Sequence, residues 1–445
     1  MSSKITKVKG IYDILGKEAK AFSLIEETFF KLTKLFGYER VFLPILEREE
    51  LFVRSVGDTT DIVEKEMYTF EDKGKRKVAL RPEGTAGAVR AYIENQVFLS
   101  ESYTKWSYFG EMFRYENPQA GRRRQFYQAG CEYFNAPLPT ADGEIIYLAS
   151  WILKKLRVNA ELYINSIGCE KCRPRYKAYL IDYLFSKKEK LCSDCQKRLE
   201  RNPLRVLDCK NPTCRDIVEE APNILDFLCE ECKDHFEKLK EILDILKIPY
   251  KVDPFLVRGL DYYTKTVFEF KVNSLGAQNT VLAGGRYDNL IKELGGPDIP
   301  ALGFAMGVDR VALCILNLLE DKREGVIILP FEEKYIPFAL KVFKLLSEAT
   351  NILEKIEEEI DTKKFLFVKN LMENEKLRNF MIEVRNRIEL PNKLGKIKKL
   401  FNLADKKNFA YAIVIGEEEV EKNFITIKNL ETREQFNLPL NMLEV

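Results

Sequence analysis

The apolar positions change period several times along the first third of the chain. Between Glu18 and Leu35 they fall at Phe22, Ile25, Phe29, Phe30 and Leu32. That is the spacing of one helix face, and Gly37 ends the helix. Val41 to Leu43 predicts a short strand stopped by Pro44. Lys77 to Leu80 predicts another, leading through Arg81, Pro82, Glu83, Gly84 and Thr85 into a helix over Ala86 to Glu94. Thr104 to Arg114 and Gln125 to Phe134 are β-rich and flank a polar loop holding Asn117, Pro118, Gly121 and the run Arg122 to Arg124. They predict a long antiparallel hairpin with a cationic loop. Phe255 to Lys271 and Thr280 to Ala283 add strands, and the apolar, small-residue-rich stretch Ala301 to Leu318 predicts a helix. Strands joined mostly by hairpins, with helices interspersed, imply an α+β fold with a largely antiparallel sheet.

The stretch 165–246 differs: it is helical and heavily charged, and holds eight of the ten cysteines. It interrupts the β-rich body and reads as an inserted domain, leaving 1–164 and 247–320 as one catalytic body. Glu320 to Glu324 is a charged linker. The apolar strand Gly325 to Pro330 opens a C-terminal domain, 325–445, in which helices alternate with strands at Phe409 to Ile415 and Phe424 to Ile427. That pattern predicts a small α/β domain with a mixed sheet. No internal repeat or low-complexity segment is present.

Composition narrows the function. A chain of 445 residues, 46% hydrophobic and 31% charged, can build two or three domains with sizeable cores. A net charge of +2 places any nucleic-acid binding in local basic patches. The polar, basic Met1 to Lys9 is not a signal peptide, and no run of roughly 18 apolar residues predicts a membrane span. A cytoplasmic enzyme is the expectation. The sequence holds one histidine, His235, in a charged stretch that reads as an exposed or half-exposed helix face. Chemistry built on histidine acid–base pairs or histidine-rich metal sites is therefore disfavoured. Phosphoryl and nucleotidyl transfer, which rely on positioning and on arginine, lysine and Mg²⁺, fit.

Three arginine-bearing segments carry that chemistry. Around the hairpin loop, Arg114 and Glu116 share one strand face, as do Phe126, Gln128 and Glu132. Together they offer a cation for phosphate, a carboxylate for an amino group and an aromatic ring for stacking; a solvated basic hairpin is the plainer reading. Leu256 to Tyr263 sets Arg258 beside a glycine, with Asp261 able to orient the guanidinium and Tyr262 and Tyr263 supplying hydroxyls. Ala301 to Arg310 has small residues at 301, 303, 305 and 307 and one arginine, Arg310, which needs an anionic partner if buried. Each of these two segments also has a purely structural reading.

Order and spacing together resemble the three signature motifs of class II aminoacyl-tRNA synthetases. Gly37 to Pro44 is similar to motif 1, Phe113 to Glu132 to motif 2, and Gly303 to Arg310 to motif 3. Val257 to Glu269 and Ala283 to Asp288 resemble the two peptides peculiar to the histidine-specific family, and Leu80 to Thr85 resembles a third family feature. The resemblance implies activation of L-histidine with ATP and Mg²⁺, transfer to tRNA(His), and a homodimer. It also implies roles. Arg114 and Arg258 are the catalytic arginines at the α-phosphate. Glu83, Gly84, Thr85, Arg114, Gln128, Glu132, Arg258, Tyr262 and Tyr263 bind histidine, Glu132 and Tyr263 bracketing the imidazole. Arg114, Glu116, Arg122, Phe126 and Arg310 bind ATP. Asn117 and Arg123 depart from the family pattern in the loop that approaches the tRNA end. A synthetase-like regulatory subunit of ATP phosphoribosyltransferase is the alternative, although such subunits lack the C-terminal domain.

The cysteines fall in pairs: Cys169 and Cys172, Cys192 and Cys195, Cys209 and Cys214, Cys229 and Cys232. Disulfides do not suit a cytoplasmic enzyme, whereas such pairs suit one or two tetrahedral Zn²⁺ sites that staple the insertion. Ordinary buried thiols and redox switching are the alternatives. Cys131 and Cys314 stand apart as small core residues. Leu394 to Asp405, Ala412 to Glu417 and Ile425 to Lys428 resemble the family's anticodon-binding domain, with Lys396, Lys398 and Lys399 facing either tRNA phosphates or water. Between Leu329 and Leu377 the chain is longer than the family's usual segment, and its acidic run Glu354 to Asp361 is no RNA surface.

Overall fold

The computed structural model describes residues 4–57, 60–119, 121–209, 211–320, 322–354, 374–391 and 394–443. The chain divides into two compact units, Met1–Leu319 and Glu320–Val445. In the first, the predicted N-terminal helix spans Gly16–Leu35 and buries Ala21, Phe22, Ile25, Phe29 and Leu32. It lies against helices Pro139–Lys155 and Val308–Ile315. Each phenylalanine so buried contributes about 1.5–3 kcal/mol.

The strands of this unit are β1 (Glu39–Arg40), β2 (Leu46–Arg48), β3 (Tyr68–Glu71), β4 (Lys77–Leu80), β5 (Thr104–Phe113), β6 (Gln125–Phe134), β7 (Glu161–Ser166), β8 (Tyr250–Val252), β9 (Thr264–Lys271), β10 (Thr280–Arg286) and β11 (Ala301–Gly307). Eight form one sheet in the order β1-β5-β6-β11-β10-β9-β7-β8. Its five inner pairings, from β5 with β6 to β9 with β7, are antiparallel, and the two edges, β1 with β5 and β7 with β8, are parallel. The hairpin β5–β6 runs in unbroken register from Thr104–Phe134 to Phe113–Gln125. A second sheet, β2-β4-β3, leads into helix Thr85–Glu94.

Four expectations need correction. The edge ladder lies at Glu39–Arg40 rather than Val41 to Leu43; Val41 keeps a single bond to the Ser107 carbonyl, and Phe42 is 82% exposed. Ala301 to Leu318 is not one helix. The small residues at 301, 303, 305 and 307 recur every second position, a strand period, and the helix begins only at Val308. Phe255 to Tyr263 is loop, and β9 starts at Thr264. Here Pro254 lacks a backbone donor, and Asn165 captures the Pro254 and Leu256 carbonyls at 3.1 and 3.0 Å. His235 is buried on helix Glu230–Ile245, with Nε2 3.3 Å from Asp142. Its neighbours in sequence are charged, but its own helix face packs inward.

The second unit has the predicted mixed sheet. Its strands are β12 (Val326–Pro330), β13 (Ile388–Glu389), β14 (Tyr411–Ile415), β15 (Phe424–Asn429) and β16 (Gln435–Pro439), ordered β13-β12-β14-β15-β16. β12 is parallel to both neighbours, and β14, β15 and β16 are antiparallel. Helices Ile336–Glu354, Glu375–Asn386 and Ile397–Lys406 accompany it. The acidic side chains of 354–361 lie outside the described residues.

Candidate active site

A cleft of about 880 Å³ opens over the inner strands of the large sheet. Glu83, Thr85 and Gln128 line one part of it with Arg258, Tyr262 and Tyr263. Arg114, Glu116, Arg122, Phe126 and Arg310 line the remainder. Two predicted residues, Gly84 and Glu132, lie behind this wall. Their place follows from packing. Glu132 pairs across the sheet with Trp106 on β5 and with Gly303 on β11. A Cβ on Gly303 would come within 1.9 Å of its carboxylate. Tyr108 reaches Glu132 at 2.9 Å by threading between Gly84 and Gly130, where an added Cβ would meet its ring at 2.2 and 2.3 Å.

Glu132 is the centre of a buried polar cluster. Thr85 Oγ1 donates to it at 2.8 Å, and the hydroxyl of Tyr287 donates to its other oxygen. Burial pushes its pKa up to about 8; the bonds from Tyr287 and Thr85 work against the shift, and the charge of Glu83 adds to it. Glu83 is also held above the ordinary carboxylate range by burial, although the Thr85 and Ala86 backbone amides each donate to it at 2.8 Å. Glu83 therefore closes the first turn of helix Thr85–Glu94, where a negative charge suits the helix N-terminus. The raised Glu132 value sets the sign of a pH effect. Between the ordinary 4.5 and about 8 the folded state keeps a proton that the unfolded chain releases, so stability falls as pH rises through that window. Urea midpoints at about pH 5 and about pH 8 should show the loss in the wild type and a flatter response in Glu132→Gln. Equal slopes in the two proteins would refute the burial of a protonated acid.

The cationic part is built differently. Arg258 forms an ion pair with Glu269 on β9, which also accepts from Thr280 at 3.0 Å. That partner keeps the guanidinium protonated despite burial, which works the other way. Asp261, expected to orient Arg258, instead accepts from Asn202 at 3.0 Å and faces Arg205. Arg114 donates to the Pro82 carbonyl at 2.9 Å and lies 5.2 Å from the centre of the Phe126 ring. Arg122 pairs with Glu116. Arg310 donates to the carbonyls of Thr280 and Gly121 at 2.7 and 3.3 Å. Its pKa is lowered first by burial and then by the like charges of Arg122 and Arg114. Three arginines gathered on one cleft wall form a seat for a polyanion. Arg123 also lines the cleft, but its charge is engaged: it pairs with Glu18 and lies 3.4 Å from Asp309.

Sequence reading missed Tyr108, Glu269 and Tyr287. The two tyrosines hold Glu132, and Glu269 holds Arg258. Tyr287 lies inside the quoted peptide Ala283 to Asp288, and Glu269 ends the other; membership of those two peptides was the available signal. Arg286 and Asp142 were missed as well. They form a buried pair, with Nη2 2.6 Å from Oδ2.

A family model described as Histidyl-tRNA synthetase matches residues 10–311, and one described as Anticodon binding domain matches 325–444. The histidine--tRNA ligase of Aquifex aeolicus is 46% identical over 440 residues, covering 99% of this chain and 100% of the relative. That of Clostridioides difficile is 43% identical, covering 98% and 97%. The apo histidyl-tRNA synthetase of S. aureus superposes with a TM-score of 0.73 at 32% identity, covering 99% of both chains. A Bacillus halodurans structure described as an ATP phosphoribosyltransferase regulatory subunit/histidyl-tRNA synthetase shares the fold at a TM-score of 0.57 and 23% identity, over 77% of this chain. On the family match and on relatives that cover nearly the whole chain, the protein belongs to the histidyl-tRNA synthetases, with their C-terminal anticodon-binding domain.

Proposed function

We propose that the chain activates L-histidine with ATP and transfers it to tRNA(His). The observation that carries this reading is one cleft lined both by an arginine cluster and by Tyr263 and Gln128 beside the buried Glu132 cluster. Arg114, Arg122 and Arg310 receive the phosphates, Phe126 stacks on adenine, and Glu116 accepts from its amino group. Glu83, Thr85 and Gln128, with Gly84 behind them, hold the α-amino end; the buried Gln128 Oε1 has no hydrogen-bond partner among the described residues. Tyr262 and Tyr263 face the imidazole, and Glu132 acts on it from behind the wall through its bond from Thr85. A pocket lined with such groups rejects apolar amino acids, because its own polar atoms would go unpaired.

The histidine carboxylate attacks the α-phosphorus, the bond to pyrophosphate breaks, and Arg258 and Arg114 stabilise the gathering charge. The attacking group is already ionised, so no protein base is needed in this step. The terminal ribose hydroxyl of tRNA then attacks the carbonyl carbon, and AMP leaves. Glu116 and Glu269 are each paired with an arginine, so ATP brings its Mg²⁺ as the metal complex of the substrate.

The proposed division is a catalytic domain over 1–164 and 247–320, an insertion over 165–246 that binds structural Zn²⁺, and an anticodon-binding domain over 325–445. Lys396, Lys398 and Lys399 are all exposed at the start of helix Ile397–Lys406, as tRNA phosphates require. Phe42, Ile45 and Leu46 stand 82, 40 and 45% exposed beside edge strand β1, an apolar patch suited to a homodimer interface. A cytoplasmic location fits this role, and no helix among the described residues is long and apolar enough to cross a membrane. The regulatory-subunit alternative is disfavoured by the anticodon-binding match and the assembled arginine cluster. ATP–pyrophosphate exchange tested with each of the twenty amino acids should respond to histidine alone. Exchange independent of histidine would end this assignment.

A further inference from the structure

Eight thiols in the insertion take no part in that reaction. They form two sets: Cys169, Cys172, Cys229 and Cys232, and Cys192, Cys195, Cys209 and Cys214. The outer pairs thus join each other, and the inner pairs do likewise. Within each set the sulfurs all lie within 4.8 Å. Cys169 is 3.7 Å from Cys172 and 3.9 Å from Cys229, and Cys192 is 3.9 Å from Cys209. Thiolates bound about 2.3 Å from a tetrahedral Zn²⁺ stand about 3.8 Å apart. Disulfide sulfurs would stand about 2.05 Å apart, and a polynuclear iron–sulfur core would spread them wider. The Cys229 amide donates to Cys172 Sγ at 3.1 Å and the Cys192 amide to Cys214 Sγ at 3.2 Å, bonds that stabilise ligating thiolates.

Each set is joined to the loop that carries Arg258 and Tyr263. Arg173 follows Cys172 directly and donates to the carbonyls of Ile167, at 3.3 Å, and Tyr263. Asn202 and Arg205 lie between the inner pairs. Asn202 donates to Asp261 at 3.0 Å, and Arg205 donates to the Gly259 carbonyl. The loop belongs to no ladder; its other ties include the bond from the Asp261 amide to Val56, at the end of helix Glu49–Val56, and the pair of Arg258 with Glu269 on β9. Both of its ends are therefore fastened from the cysteine sites.

We infer that the insertion holds two tetrathiolate Zn²⁺ ions, and that these fix the 258–263 loop through Arg173, Asn202 and Arg205 and so set the affinity for histidine. The second half rests on the proposed histidine-binding role of Arg258 and Tyr263. Arg173, Asn202 and Arg205 are positioning residues: none of them lines the cleft. Elemental analysis of protein purified without chelator should find two zinc ions per chain, and one in Cys195→Ser or Cys232→Ser. Arg205→Ala and Arg173→Ala keep all eight thiols, and should keep both ions. In exchange assays they should raise the KM for histidine about tenfold or more and leave the KM for ATP within about twofold. Arg205→Lys, which retains a donor for Gly259, should recover part of that loss. Lower kcat with both KM values unchanged would overturn the coupling. Absence of metal, or iron in place of zinc, would overturn the site assignment. Two zinc ions in a wild type without histidine-dependent exchange would sink the functional reading, and the coupling with it, while leaving the metal sites standing.

Discussion

Replacing Arg258 with alanine should lower kcat/KM for histidine in ATP–pyrophosphate exchange by about 10³-fold, or roughly 4 kcal/mol of transition-state stabilisation. Its side chain is only 19% exposed, lines the cleft and faces the Tyr263 ring at 5.8 Å. In the proposed reaction it meets charge that grows as the carboxylate attacks phosphorus. The substitution also takes from Glu269, whose side chain is 12% exposed, the nearer of its two cations, leaving Lys271 at 3.5 Å. Weakening the pairing of a mostly buried carboxylate destabilises the fold by itself, so Arg258→Ala alone confounds two effects. The pair Arg258→Ala with Glu269→Gln separates them. Recovered stability with exchange still about 10³-fold down assigns the loss to chemistry. Exchange within tenfold of wild type in the double variant would remove Arg258 from the catalytic step. Lysine should not rescue, because a single ammonium cannot serve Glu269 and the substrate as a planar fork does.

The partner of Arg258 was the part of the site that the sequence hid. Asp261 is three residues away and carries the right charge; Glu269 is eleven away and on another element. Only the folding of 255–263 as loop brings β9 beneath the guanidinium. The hairpin carrying Arg114 to Glu132 was legible because two β-rich runs flank one polar loop, and an antiparallel pair so joined has little choice of register. The 301–318 stretch was misread because small apolar residues suit helix and strand alike, and the decisive contact, Gly303 against Glu132, is between strands. His235 was misread for a related reason. Its burial is dictated by Asp142, 93 residues earlier in the chain. What the sequence displayed was local period and residue chemistry. What it concealed was which buried charge meets which.

Asp142 makes that point quantitatively. Asp142→Ala should reduce the unfolding free energy by about 3–5 kcal/mol, the range for breaking a buried pair from one side. Arg286 is 1% exposed and Asp142 0%, with three contacts between them at 2.6, 2.9 and 3.0 Å. Burial alone would raise the Asp142 pKa, but Arg286 first and then His235 bring it down to about 2. The folded value lies below the ordinary 3.8, so this stabilisation is present above about 3.8 and is lost as pH falls towards about 2. Removing the carboxylate leaves Arg286 with the Leu138 carbonyl at 2.9 Å and Asp288 at 3.2 Å, too little to offset its desolvation. The next residue is Tyr287, which donates to Glu132, so strain at 286 passes directly to the proposed imidazole pocket. Asp142→Ala should therefore lower the melting temperature by about 4–8 °C and raise the KM for histidine. The apolar pair Asp142→Leu with Arg286→Met should regain most of the stability without regaining the KM, because no guanidinium then anchors the backbone beside Tyr287. A single variant that melts within about 2 °C of wild type would show that Arg286 finds another partner, and the link from Asp142 to the pocket would be lost.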